Sequence, residues 1–155
     1  MSYVGGVAGK GTPLVLVLVI AAGCGGTTTD SPRLSRAEYA SKADAICREY
    51  YRQTDAIDAT AFSEVAPALD KVLPILDRAL VRVHGLQPPA NEQATVDEWL
   101  RLSDKVRDDM EATRARARAK DEQGALAADA KALRDDNRSN KLATKLGMKV
   151  CSVSR

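Results

Sequence analysis

The chain has 155 residues, a formal net charge of +2, and 45% hydrophobic against 28% charged residues. That is enough chain for one domain with a modest core, and it lacks the basic excess that a nucleic-acid-binding face shows. Aromatic residues are few (one Trp, one Phe, four Tyr) and no Asn-Gly or Asp-Gly turn or long alternating run occurs; with abundant alanine this excludes a β-rich fold and predicts an all-α one.

The N-terminal stretch reads as a lipoprotein signal. Lys10 is the only charge before Asp30, and residues 14–22 form an apolar run of nine. That length suits a secretory signal and falls short of the ~20 residues needed to span a bilayer. Ala21, Ala22 and Gly23 then precede Cys24, a pattern that resembles the bacterial lipobox, although Ala21 stands where Leu or Val is usual. The resemblance implies removal of residues 1–23, acylation of Cys24 and anchorage on the extracytoplasmic face of the cell membrane. Residues 24–34, rich in Gly, Thr and Ser, read as a flexible tether, and residues 35–155 as the helical domain.

Four helices are expected, arranged as an up-down-up-down bundle. The first opens on the capping box Ser35-x-x-Glu38 and runs to about Asp58. Ala40, Ala43, Cys47, Tyr50, Thr54 and Ile57 mark its core stripe, widened by Tyr39 and Ile46. The second has Ser63 as N-cap and Gly85 at its end, with a stripe of Val65, Leu69, Val72, Leu76, Ala79 and Val83 flanked by Leu73 and Leu80. Pro67 falls in its first turn, whereas Pro74 should kink or split it near Leu73.

The Gln87-Pro-Pro-Ala90 turn leads to a third helix, from Asn91 to about Lys120, with Val96, Trp99, Val106, Met110 and Ala117 facing inward. Arg114, Arg116, Arg118 and Lys120 look like a basic cluster, but residues two apart lie ~200° apart around a helix. A solvated charged face, neutralised by nearby acids, is the expected reading. The fourth helix, about Glu122 to Leu146, shows two apolar faces, Leu126-Ala130-Leu133 and Leu142-Leu146. These do not line up across the polar middle 135–140, so either an irregular helix or an outward-facing polar middle is expected. The inward alternative would require partners for Asn137 and Asn140. Gly147 ends the helix.

With Cys24 acylated, Cys47 and Cys151 remain as an even pair in an oxidising compartment, which predicts a disulfide. In such a bundle the fourth helix ends beside the start of the first. Cys47 lies roughly 18 Å along the first helix, and the tail after Gly147 reaches back ~13 Å, so a slight tilt closes the gap and ties the C-terminal tail to the first helix.

Tyr39-x-x-x-Ala43-Asp44-x-Ile46-Cys47, Leu86-x-Pro88-Pro89-Ala90, Trp99 and Leu146-Gly147-x-x-x-Cys151, all behind a lipoprotein signal, resemble small secreted lipoproteins of actinobacteria. The resemblance spans most of the chain. It implies location, helices and a disulfide, and carries over no catalytic or ligand-binding residue.

Chemistry is sparsely supplied, so no enzyme, metal site or cofactor is expected. His84 is the only histidine and is expected to cap a carbonyl or meet the helix dipole. Asp108, Asp109 and Glu111 lack EF-hand spacing. For Asp44 an inward carboxylate is one reading, and a place at the surface beside Lys42 or Arg48 is the expected one. Two functional readings remain. One is a non-catalytic interaction module that docks an envelope protein. The other is a binding module for a lipid or other small apolar ligand between the helices. A cavity of several hundred Å³ lined by Leu73, Leu76, Trp99 and Met110 would favour the second; an exposed apolar patch without a cavity would favour the first.

Overall fold

The computed structural model describes residues 32–153. The signal, Cys24 and most of the tether lie outside the described residues. Four helices make up the fold, and no strand occurs among the described residues.

Helix α1, Arg36–Thr54, starts at the expected capping box. The Ser35 hydroxyl accepts the Glu38 N–H at 3.3 Å, and the Glu38 carboxylate accepts the Ser35 N–H at 2.9 Å. Helix α2, Phe62–His84, starts at Ala61 instead of Ser63. Ala61 has no side-chain acceptor, and the Glu64 carboxylate reaches back to the N–H groups of Thr60 (2.8 Å) and Ala61 (3.1 Å). The split expected near Pro74 does not occur, because α2 is one continuous helix through both Pro67 and Pro74. Both prolines are exposed, as are Ser63 and Asp70. The carbonyls that lose their donors therefore lie on the wet side, where water replaces the bond. Gly85 caps α2 in right-handed geometry (φ −74°).

Arg33 and Leu34, read from sequence as the end of the tether, are held by the loop after α2. The Leu34 N–H donates to the Gln87 carbonyl at 2.9 Å, and the Arg33 guanidinium to the Pro88 carbonyl at 3.0 Å. A short 3-10 turn, Ala90–Glu92, leads into α3, Gln93–Arg118. Asp121 caps α4, Glu122–Lys145, accepting the Gly124 N–H at 2.9 Å. The α4 C-terminus is a Schellman turn on Gly147, whose φ of +87° favours glycine. The Met148 N–H returns to the Ala143 carbonyl and the Gly147 N–H to that of Thr144. At the end of α3 the same turn is made by Lys120, φ +59°.

Helices consecutive in the chain pack on one another, most extensively α3 on α4, whereas α1 and α4 do not pack closely along their lengths. The main core lies at one end of the bundle. Tyr39, Ala43 and Ile46 of α1 meet Val83 of α2, Val96 and Trp99 of α3, and Ala143, Leu146 and Met148 at the end of α4.

Helix α4 corrects the sequence reading. It is one continuous helix, and from its polar middle Asp135 and Ser139 face inward while Asn137 and Arg138 are exposed. Ala125, Ala132, Asp135, Ser139 and Ala143 form the buried face, whereas Leu126 and Leu133 are exposed. The reason is volume and charge. Small residues let α3 and α4 approach, and buried polar side chains pair across that contact, while one Asp109 carboxylate oxygen is buried without a hydrogen-bond partner among the described residues. Asp135 accepts from Lys105 at 2.7 Å, Asp109 pairs with Lys131, and Ser139 bonds Ser103 at 3.2 Å. Asn140 donates to Asp136 at 2.9 Å.

The C-terminal tail is tied to α1 by three devices. Cys47 and Cys151 form a disulfide with Cα atoms 5.4 Å apart, within the range such bonds require. The Tyr51 hydroxyl donates to the Val153 carbonyl at 2.9 Å. Asp44 is buried, not at the surface beside Lys42 or Arg48: its carboxylate accepts the N–H groups of Lys149 (2.8 Å), Val150 (2.8 Å) and Cys151 (3.0 Å).

Candidate functional site

Away from the packed end, the helices leave space. Among the described helices α2 carries the strongest amphipathic stripe, yet Val65, Leu69, Val72, Leu76, Ala79 and Leu80 are all only half-buried. Little of matching size stands opposite. Where α4 crosses this region it offers mostly small or polar side chains, Asp129, Ala132, Asp136, Ser139 and Asn140, with Leu133 the one large apolar exception, and α1 does not run alongside α4 to close the gap.

The result is a cleft of about 300 Å³ to which every helix contributes. Its apolar bed is Leu76, Ala79 and Leu80 of α2 with Trp99, Val106 and Met110 of α3. Tyr50 and Tyr51 of α1 stand at one wall, and Asp129, Leu133 and Asp136 of α4 at another. The disulfide and Val153 close one end. A second cavity of about 220 Å³, under Val65, Leu69 and Val72, shares Met110 and Asp129 with the first. Together they follow the whole apolar face of α2.

Of the four residues expected to line a cavity, Leu76, Trp99 and Met110 do so. Leu73 does not; it is 2% exposed and packed away from the cleft. The tyrosines, Val106 and the α4 carboxylates were not anticipated as lining. The signal that points to them is a mismatch in side-chain size. A wide Leu/Val stripe on α2 faces an α4 whose inward residues are Ala, Ser and Asp, and such a pair cannot fill the space between them.

The polar groups of the cleft have defined surroundings. The rings of Tyr50 and Tyr51 lie 5.4 Å apart, inclined at 57°. Burial, then the neighbouring Tyr51 and Asp136, pushes the Tyr50 phenol up to about 12, so it stays protonated at neutral pH. No Lys, Arg or His lines the cleft.

The other sequence candidates are accounted for by pairing. His84 meets Asp104 of α3 at 3.0 Å instead of a helix carbonyl. Arg118 donates to Asp70 at 2.5 Å and Arg116 to Asp121 at 3.0 Å, and Arg114 pairs with Glu111. Glu111 and Asp108 stand beside Arg107 at 3.8 and 3.6 Å. Among the described residues no group of three or more His, Cys, Asp or Glu converges as a metal site would require, and no helix is long and apolar enough to cross a membrane. No protein-family model matches the chain, and comparison with curated proteins and with solved structures finds no match.

Proposed function

We propose that the protein is a lipid-anchored, extracytoplasmic binding module that holds a small apolar molecule between its helices, and that it is non-catalytic. The observation that carries this reading is the cleft: an apolar bed on α2 and α3 that borders open space where it leaves the packed core. Its volume of about 300 Å³ lies at the lower edge of small-molecule sites, roughly 300–1,000 Å³. Leaving such a surface to water forfeits about 25 cal/mol per Å², which an apolar occupant would recover. Among the described residues, two of the four exposed large apolar side chains, Leu133 and Val153, belong to the cleft lining. This favours an occupant of the cleft over docking of an envelope protein on an outer face, the reading that the sequence put first.

The location rests on the sequence signal and Cys24. Membrane-extracted protein analysed by intact mass should show a chain that begins at an acylated Cys24; an unmodified Cys24 behind an intact signal would refute the anchor. The binding reading is tested with Nile red, a neutral apolar dye. It should bind the full chain saturably at one per molecule and quench Trp99, the only tryptophan. Filling the cleft through Ala79→Phe or Val106→Phe should abolish this without unfolding the helices. Dye binding that is absent, or unchanged in both folded variants, would overturn the proposal.

A further inference from the structure

The charge of the cleft is of one sign. Asp129 and Asp136 both line it from α4, seven residues apart and so on one helix face. No cationic side chain is part of the lining. Tyr50 and Tyr51 of α1 also line the cleft, their rings 5.4 Å apart. Aromatic faces and carboxylates around an apolar bed are complementary to one ligand chemistry, an apolar body that carries an ammonium group. A fatty acid or an anionic lipid would bring its charge against Asp129 and Asp136 and find no counter-ion.

Resting on the binding reading above, we infer that the ligand of this cleft is a cationic amphiphile, with its apolar body on α2 and α3 and its ammonium between the α4 carboxylates and the α1 tyrosines. Asp129 also lines the second cavity, so a longer apolar tail continues past Met110 beneath Val65 and Leu69 while the charge stays at α4. The Asn140 amide, which donates to Asp136 at 2.9 Å, orients that carboxylate.

The test compares three molecules with the same tail and different heads: decyltrimethylammonium, decanol and decyl sulfate. Each is titrated into the full chain below its micelle-forming concentration and read by Trp99 fluorescence. The ammonium should bind about five-fold or more tighter than the alcohol, the gain expected of partly exposed ion pairs and cation–π contacts, and the sulfate weakest. The preference should shrink as salt rises. In Asp129→Asn and in the Asp129→Asn/Asp136→Asn pair it should fall toward one while decanol binding is unchanged. Equal binding of the three heads, a sulfate that binds best, or a preference that survives the double substitution and high salt overturns the inference and leaves the apolar cleft standing. Failure of all three to bind removes the cleft reading as well.

Discussion

Asp44 shows how one residue can decide a chain terminus. Three successive backbone N–H groups of the tail converge on its carboxylate, and bonds to an ionised acceptor are roughly twice as strong as neutral ones. Asp44→Ala leaves those donors without their acceptor and should cost about 3 kcal/mol, measured by urea unfolding; a loss below ~0.5 kcal/mol would mean that the disulfide alone sets the tail. Asp135 makes a pH-dependent contribution. The hydrogen bond from Lys105, helped by the charges of Lys105, Arg138 and Lys131, holds its carboxyl below the usual range against the opposing effect of burial. A carboxyl depressed in the folded state adds stability that is present above its unfolded pKa, ~3.9, and is lost as pH falls through its folded value. Stability should therefore decline below about pH 4, and Asp135→Asn should flatten that part of the profile. An identical acid limb in wild type and variant would contradict the assignment.

The elements differ in how plainly the sequence announced them. The capping box at Ser35 and the stripe of α2 were legible because each is a local pattern that local chemistry satisfies. The pair Cys47 and Cys151 was legible by parity and reach. The inward face of α4 was not, because hydrophobicity points to Leu126 and Leu133, whereas the contact with α3 selects small residues and the Asp135–Lys105 and Asp109–Lys131 pairs. A tertiary ion pair has no signature in the helix that carries half of it. Asp44 was misread for the same reason: its partners lie more than a hundred residues away. Pro74 pointed to a kink or a split, and the split does not occur: the proline is exposed, and packing of α2 on both neighbours holds the helix against the lost bond and the ring's clash with the Asp70 carbonyl. The disulfide closes a loop of 104 residues, worth about 4–5 kcal/mol in the chain-entropy model. Cys47→Ala should lower the melting temperature substantially under non-reducing conditions and little in the presence of reductant. Free-thiol labelling of both cysteines in the native protein would contradict the bond.

On the scale of the molecule, the bundle is tight at one end and open along one side. The core around Tyr39 and Trp99, the Asp44 clamp and the disulfide fix the end where the termini of the domain meet. Farther along, α2 keeps a large apolar face that small residues of α4 cannot cover, and the cleft follows from that inequality. The cleft was half legible: Leu76, Trp99 and Met110 lay on inward stripes, but whether inward meant packed or vacant depended on what stood opposite. The measurement that bears most directly on this account is a methyl NMR titration of the full chain with decyltrimethylammonium. The account predicts saturable shifts of Leu76, Leu80, Val106 and Met110, with Ala40 and Ala43 of the packed end unmoved. Shifts confined to the exposed Val81 and Leu126, or none at all, would contradict it.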